Sequence, residues 1–201
     1  MLVFYGGIVV FMLLSVFTVL RVRAEYNSPG TLSTPTVVIV WVLYFFHAGM
    51  TAFAAWHSLW PLPVSNILAM LIGSFLIVIG VTFFTAAIFE FRSFQRMSGQ
   101  KNNELVSSGV YRWSRNPQNV GWIVMLAGVA LLGKSAGAIL LVLLFSLLLH
   151  IYIVHVEEGF LESVYGEAFR HYLDSTARYL GIPRQRGKEA KGQDYSEDCS
   201  L

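Results

Sequence analysis

Apolar residues come in long blocks along this chain, and the polar residues between them are concentrated in a few short stretches. Leu2 to Leu20 is apolar and of spanning length, and Arg21, Arg23 and Glu25 close it. Asn27-Ser28-Pro29-Gly30 then reads as a turn. Thr36 to about Trp56 is a second apolar segment, ended by Trp60-Pro61-Leu62-Pro63, with tryptophans suited to a membrane interface. Val64 to Phe89 is a third, long enough to span with tilt. Glu90 to Asn119 is polar. Val120 to Leu132 is apolar again but short; at 1.5 Å per residue its thirteen residues cover roughly 20 Å, less than a bilayer core of about 30 Å. Gly133-Lys134-Ser135 predicts a tight turn into the long apolar run Ala136 to Val156, so the two together predict a helical hairpin. From Glu157 onward Phe160, Leu161, Val164, Tyr165, Ala168, Phe169, Tyr172 and Leu173 recur at helical spacing, which predicts an amphipathic helix on the membrane surface or over the hairpin. The tail from Arg184 is charged and expected to be disordered.

The pattern predicts an all-α polytopic membrane protein with about five transmembrane helices, a C-terminal helical hairpin and an amphipathic C-terminal helix. Residues 1–183 form a single domain and 184–201 a tail. Composition agrees: of 201 residues, 55% are hydrophobic and only 13% charged, about half the charged fraction of soluble domains. Mean hydropathy is +0.59. A net charge of +2 carries no signature of nucleic-acid binding. The N-terminus lacks the basic region of a signal peptide, and its apolar run is too long for one, so it reads as a retained helix. The single cysteine, Cys199, excludes an internal disulfide and is not four residues from the end, as a prenylation box requires.

Basic residues set the expected orientation. Arg21 and Arg23, then Arg92, Arg96, Lys101, Arg112 and Arg115, flank alternate ends of the apolar segments, whereas the loop at 57–63 has no Lys or Arg and the hairpin turn has only Lys134. Five spans with the N-terminus outside and the C-terminus in the cytoplasm satisfy the positive-inside rule.

Two polar clusters fall on the cytoplasmic side of that arrangement. One is Leu105 to Trp122, L-V-S-S-G-V-Y-R-W-S-R-N-P-Q-N-V-G-W; the other is His155-Val156-Glu157-Glu158. Polar groups beside hydrocarbon are costly and by default mark a site. Arg115 and Asn116 precede Pro117, a residue suited to the first turn of a helix, where free backbone N–H groups can bind an anion. Arg115 thus reads as an anion contact or as a phospholipid-headgroup anchor. Glu157 and Glu158 read as ligand contacts or as a solvated helix start. Neighbours on a helix point about 100° apart, so only one of the two is expected to face a ligand, and Glu158 is the favoured one. His150 and His155 are five apart, a poor spacing for one helical face, and no third ligand accompanies them, so no metal site is expected. His150 reads as a pocket residue or a structural histidine. There is no G-x-G-x-x-G, Walker loop or H-E-x-x-H.

The segment from Leu105 to Gly181 resembles the isoprenylcysteine carboxyl methyltransferase family. The family pattern is roughly Leu-Val-x-x-Gly-x-Tyr-x-x-x-Arg-His-Pro-x-Tyr, an apolar hairpin, a Glu-Glu pair and a closing aromatic-Gly segment. Leu105, Gly109, Tyr111, Arg115, Pro117, Gly121, Glu157, Glu158, Gly166 and Tyr172 fit it, and Arg178 matches a closing basic residue. Asn116 replaces the family's His and Asn119 its Tyr; both can hydrogen-bond, but neither is titratable or aromatic. The wider superfamily includes phospholipid N-methyltransferases and thiol methyltransferases. The resemblance implies a methyltransferase using S-adenosylmethionine, with Arg115, Asn116 and Asn119 serving the reaction. It implies that Tyr111, Arg115, Asn116, Pro117, His155, Glu157, Glu158, Tyr172 and Arg178 hold the cofactor. The expected partners are a lipophilic or small methyl acceptor (an isoprenylcysteine-like carboxylate, a phospholipid amine or a thiol) and membrane lipids.

Methyl transfer from a sulfonium is an in-line displacement that needs alignment and water exclusion but no metal. The cofactor's carboxylate calls for an Arg or a helix N-terminus, its ammonium and ribose diol for acidic groups, and its adenine for an apolar slot. Two other readings compete. One is a membrane reductase of the sterol-reductase type using NADPH. The other is a non-enzymatic scaffold or transporter, for which paired halves or broken helices in matching positions are the usual sign.

Overall fold

A computed structural model describes residues 1–28, 30–91, 100 and 105–183. Its elements are α1 (Leu2–Asn27), α2 (Thr34–Trp56), α3 (Asn66–Phe91), a 3-10 turn (Gly109–Arg112), α4 (Pro117–Leu132), α5 (Ala136–Tyr152), a π-helical turn (Ile153–Glu157), α6 (Glu158–Tyr165) and α7 (Glu167–Ser175). The fold is all-helical, with no strand among the described residues. Four helices are long and apolar enough to cross a membrane: α1, α2, α3 and the one that begins at Ala136. The apolar α4 is shorter. Large apolar side chains face outward along them, such as Leu13 and Phe17 on α1, Phe75 and Val78 on α3, and Leu143 and Leu147 on α5. These are the surfaces lipid covers.

Helix ends follow local chemistry more than the run of apolar residues. α1 continues past Leu20 through Arg21, Arg23 and Glu25 because those charges are used at the turn into α2. The Glu25 carboxylate accepts from the Ser33 N–H and hydroxyl and from the Thr36 hydroxyl, each at 2.7 Å, and pairs with Arg21 at 3.2 Å. Ser135 caps α5 by accepting from the Ala138 N–H at 3.1 Å, while its hydroxyl donates to the Leu59 carbonyl at 2.8 Å. Leu62 N–H donates to the Lys134 carbonyl at 2.8 Å. The 57–65 loop and the α4–α5 turn therefore lie together at one end of the bundle. Pro117 begins α4 at the other end, so this sixteen-residue helix bridges the two ends although it rises only about 24 Å.

The predicted hairpin forms, but α4 makes its most extensive packing with α3 rather than with its hairpin partner α5. Glycines explain the preference. Gly73 and Gly80 on α3 face Gly128 and Gly121 on the antiparallel α4. A Cβ on Gly80 would lie 2.7 Å from the Gly121 carbonyl oxygen, and one on Gly121 would lie 2.7 Å from the Gly80 carbonyl oxygen. A Cβ on Gly128 would lie 2.6 Å from the Gly73 carbonyl oxygen. Lipid supplies no hydrophobic drive between apolar helices, so close backbone approach over small residues is what associates them. The amphipathic segment after Glu157 is likewise broken in two. Gly166, at φ +55°, turns α6 into α7, and Phe169 and Tyr172 of α7 pack against Tyr111 and Ala87.

Gly80→Ala and Gly121→Ala should each destabilise the protein by about 1–3 kcal/mol, because the new methyl meets backbone that cannot yield. Thermal unfolding in detergent checks this, with Gly49→Ala, where a Cβ meets nothing within 4 Å, as the control.

Candidate functional site

The polar end of the bundle is assembled from three separated segments. The 105–116 loop is pinned by its 3-10 turn. Gly109 takes φ +53° against the Glu90 carboxylate, which also accepts from the Ser108 hydroxyl. The turn buries Tyr111, whose hydroxyl donates to Gln118 Oε1 at 2.9 Å and whose carbonyl accepts from the Tyr172 hydroxyl at 2.7 Å. Burial pushes both phenols well above their ordinary range, so both remain protonated donors. The segment after α7 lies across this loop. Arg115 N–H donates to the Ala177 carbonyl at 2.9 Å, Gly181 N–H to the Trp113 carbonyl at 3.0 Å, and Asn116 Nδ2 to the Arg178 carbonyl at 3.3 Å.

Charge gathers where these segments meet the end of α5. The Glu158 carboxylate takes a two-pronged bond from Arg178, Nε and an NH2 nitrogen each at 2.8 Å, and a third contact from Arg115 at 3.0 Å. Those bonds hold the Arg178 guanidinium further up its already high range. The Arg115 side chain is only 10% exposed, and its Nε is buried with no hydrogen-bond partner. Glu157, one residue before Glu158, has no hydrogen bond or ion pair among the described residues, yet it lines the same cavity.

That cavity, about 280 Å³, is lined at its polar end by Tyr111, Arg115, Asn116, Asn119, Glu157, Glu158 and Tyr172. Asn119 Nδ2 donates to Asn116 Oδ1 at 3.4 Å and Asn119 Oδ1 accepts from the Tyr44 hydroxyl at 2.8 Å, so the two asparagines form a short polar ledge. The expectation that only one of the adjacent glutamates would face inward assumed regular α-helix. The chain instead makes a π-helical turn at Ile153–Glu157, a distortion frequent at functional sites, and both carboxylates reach the cavity wall.

Three of the expected site residues do not line the cavity. His155 is exposed on the other side of the π turn. Pro117 is fully buried and serves to begin α4. Arg178 acts from outside, through Glu158. His150 is exposed too, with Nδ1 2.7 Å from the Tyr179 hydroxyl. In the other direction, Tyr26 on α1, Tyr44 on α2 and Tyr152 at the end of α5 line the cavity and were not singled out in the sequence. Their signal was weak: Tyr44 and Tyr152 are each one hydroxyl in an apolar run, and Tyr26 stands among the charged residues that close the first one. Arg92, Arg96, Lys101 and the tail from residue 184 lie outside the described residues.

The fold and cavity define an integral membrane protein with a charged, partly enclosed chamber at one end of its helix bundle. The family model of the phospholipid methyltransferases matches residues 68–168, half of the chain, and the chain belongs to that family. It is a membrane methyltransferase. The match runs from α3 into α7; it includes Arg115, Asn119, Glu157 and Glu158 and stops short of Tyr172 and Arg178. No curated protein and no solved structure matches the chain.

Because Glu158 is what balances the buried Arg115, Glu158→Ala should destabilise the protein by about 3–5 kcal/mol. Glu157→Ala, which removes a carboxylate without a partner, should leave stability nearly unchanged or raise it. Chemical or thermal unfolding of the two variants compares them, and equal losses would show that Glu157 has a structural partner after all.

Proposed function

We propose that this methyltransferase takes its methyl group from S-adenosylmethionine and delivers it to a lipophilic acceptor held in the bundle. The observation that carries the reading is a pair of groups at the polar end without a partner among the described residues: the buried Arg115 Nε and the Glu157 carboxylate. A buried donor left without a partner costs about 1–3 kcal/mol, and a zwitterionic ligand would complete both groups at once. The residues fit the cofactor. Arg115 would take its carboxylate and Glu157 its ammonium, with Tyr111, Tyr172, Asn116 and Asn119 offering further polar contacts.

When bound, the cofactor supplies an electrophilic methyl group on a sulfonium. The chain's own part is positioning. Glu158 holds the Arg115 guanidinium in place at the cavity wall, and Arg178 fixes Glu158 from the far side. Asn116 and Asn119, tied to each other and to Tyr44, form the wall between the charged end and the apolar end and can orient an acceptor head by hydrogen bonds. The segment at 176–181 covers the loop and keeps water from the charged end. Arg115, Asn116 and Asn119 are thus assigned to the reaction as orienting groups rather than as proton carriers. A nicotinamide cofactor would need a site for its phosphates, and Arg115, the one arginine of the cavity wall among the described residues, is already paired with Glu158.

The charged end is assigned to the cytoplasm, with α1 beginning on the opposite side, from the basic residues around Arg21, Arg112 and Arg115. In a Cys199→Ser background, Ser28→Cys should react with an impermeant maleimide only from the cytoplasmic side and Ser65→Cys only from the other. The reverse pattern would invert the topology.

Arg115→Ala should weaken S-adenosylhomocysteine binding by about 2 kcal/mol or more, and Glu157→Gln by about 1.5–3 kcal/mol. Titration calorimetry of the purified protein measures both. A wild-type protein that binds NADPH and not S-adenosylhomocysteine would reject the reading in favour of a reductase.

A further inference from the structure

The cavity continues well past its charged end. On α1 it is lined by Tyr26, Val22, Thr18 and Ser15, on α2 by Val40 and Tyr44, and on α5 by Leu149 and Phe145. Each set lies on one face of its helix. α1 and α5 touch little of each other, and the space between them is what α2 closes from the side. The two aliphatic hydroxyls in this stretch donate within α1. Ser15 Oγ donates to the Phe11 carbonyl and Thr18 Oγ1 to the Leu14 carbonyl, both at 2.7 Å, so neither has a donor left for the cavity. From Tyr26 to Ser15 the lining descends eleven residues of α1, roughly 16 Å.

The lining on α1 and α2 ends there, and of the layer of rings that follows Phe145 itself lines the cavity while Phe11 and His47 lie just beyond it. Phe11 lies one turn beyond Ser15, and His47 one turn beyond Leu43. Both are 1% exposed. His47 stacks on Phe145 with centroids 4.3 Å apart and planes at 12°, and Phe11 lies 5.5 Å from His47 and 6.3 Å from Phe145. The imidazole is pinned, because its Nε2 lies 3.2 Å from the Leu141 carbonyl oxygen, which can only accept. Beyond the rings the bundle is solid, with Phe4, Ala54, Ala130, Ala138 and Leu141 forming a closed cluster.

We propose that Phe11, His47 and Phe145 are the floor of a compartment for one hydrocarbon chain of the acceptor, and that the depth of this floor sets the chain length the enzyme accepts. The proposal rests on the lipophilic-acceptor reading above. Its physical basis is the shape of the cavity: one end charged, a single apolar shaft, and a floor made of three mutually packed rings, one of them held by a backbone carbonyl. A head group stays near Asn119 and Arg115 while the chain descends between α1, α2 and α5. Each methylene that enters the shaft leaves its previous surroundings for close-packed side chains, whereas a methylene beyond the floor has nowhere to go. α1 and α2 lie outside residues 68–168, so this part of the cavity is built by the chain's own N-terminal helices.

The test uses the full-length protein in nanodiscs of one diacyl lipid. Saturated lysophosphatidylethanolamines of increasing chain length compete with a fluorescent single-chain lysophospholipid, and affinity is expressed as mole fraction in the bilayer so that partitioning cancels. Affinity should rise with each added methylene, by well under the roughly fourfold of transfer from water because the chain leaves lipid rather than water, until the chain reaches the floor, and then level off or fall. Phe11→Ala should move the break to longer chains. Ser15→Phe, which places a ring in the shaft one turn above the floor, should move it to shorter ones and keeps the proposal testable if Phe11→Ala does not fold. An uninterrupted rise with length in the wild type, or a break that Ser15→Phe leaves in place, would overturn the proposal. S-adenosylhomocysteine titrations on the same samples report separately on the charged end. Absence of that binding from a protein with an intact chain-length break would sink the cofactor reading and leave the floor standing.

Discussion

The Glu158 carboxylate, set where α5 passes through a π-helical turn into α6, is the point on which the polar end depends. It receives Arg115 from the loop before α4 and Arg178 from the segment after α7. Three stretches of chain far apart in sequence are thereby joined by one charged group. A carboxylate at the edge of hydrocarbon is unfavourable alone, and so is a guanidinium that is 10% exposed; together they satisfy most of each other's requirements. What they leave over among the described residues is one buried Arg115 Nε and the neighbouring Glu157, both on residues that line the cavity.

Getting Arg115 to that place is the work of the α3–α4 seam. Arg115 and Asn116 stand immediately before Pro117, so their position is set by where α4 begins, and α4 is fixed along its length by the facing glycines 73, 80, 121 and 128. Backbone against backbone allows little sliding, because any shift brings a side chain such as Phe84 or Leu132 into the gap. The membrane-embedded packing and the placement of the charged groups are in this sense one arrangement. The carboxylates come from the far end of α5, which the capped turn at Ser135 sends back through the bundle alongside α4.

The cavity is consequently of two kinds of material. Its charged end is built mostly within the region that matches the family, from α4, the π turn and the loop, with Tyr172 of α7 added from beyond it, whereas much of its apolar depth comes from α1 and α2. On the function proposed above, a division of this sort would separate the part that handles a polar cofactor from the part that handles an apolar acceptor. The polar ledge of Asn116 and Asn119, bonded to Tyr44 of α2, is where the two meet.

Much of this was legible in the chain itself. The long apolar runs, the loop charges and the polar clusters at Arg115 and Glu157-Glu158 are local in sequence, and membrane insertion reads such local features directly. The turn at Gly133-Lys134-Ser135 and the start of α4 at Pro117 are likewise matters of a few adjacent residues. Other things were decided only by packing in three dimensions. That α4 prefers α3 to α5 follows from glycines brought face to face by an antiparallel crossing. That Glu157 rather than Glu158 is left without a partner among the described residues follows from Arg178 arriving from the segment after α7, and the inward turn of both carboxylates follows from a π distortion that a regular helix would not contain. His155 stands on the outer surface of the same π turn. Tyr26, Tyr44 and Tyr152 gained their place at the cavity from three different helices meeting at one level. A single hydroxyl in an apolar run carries no information about what lies opposite, because that neighbour is supplied by a distant part of the chain.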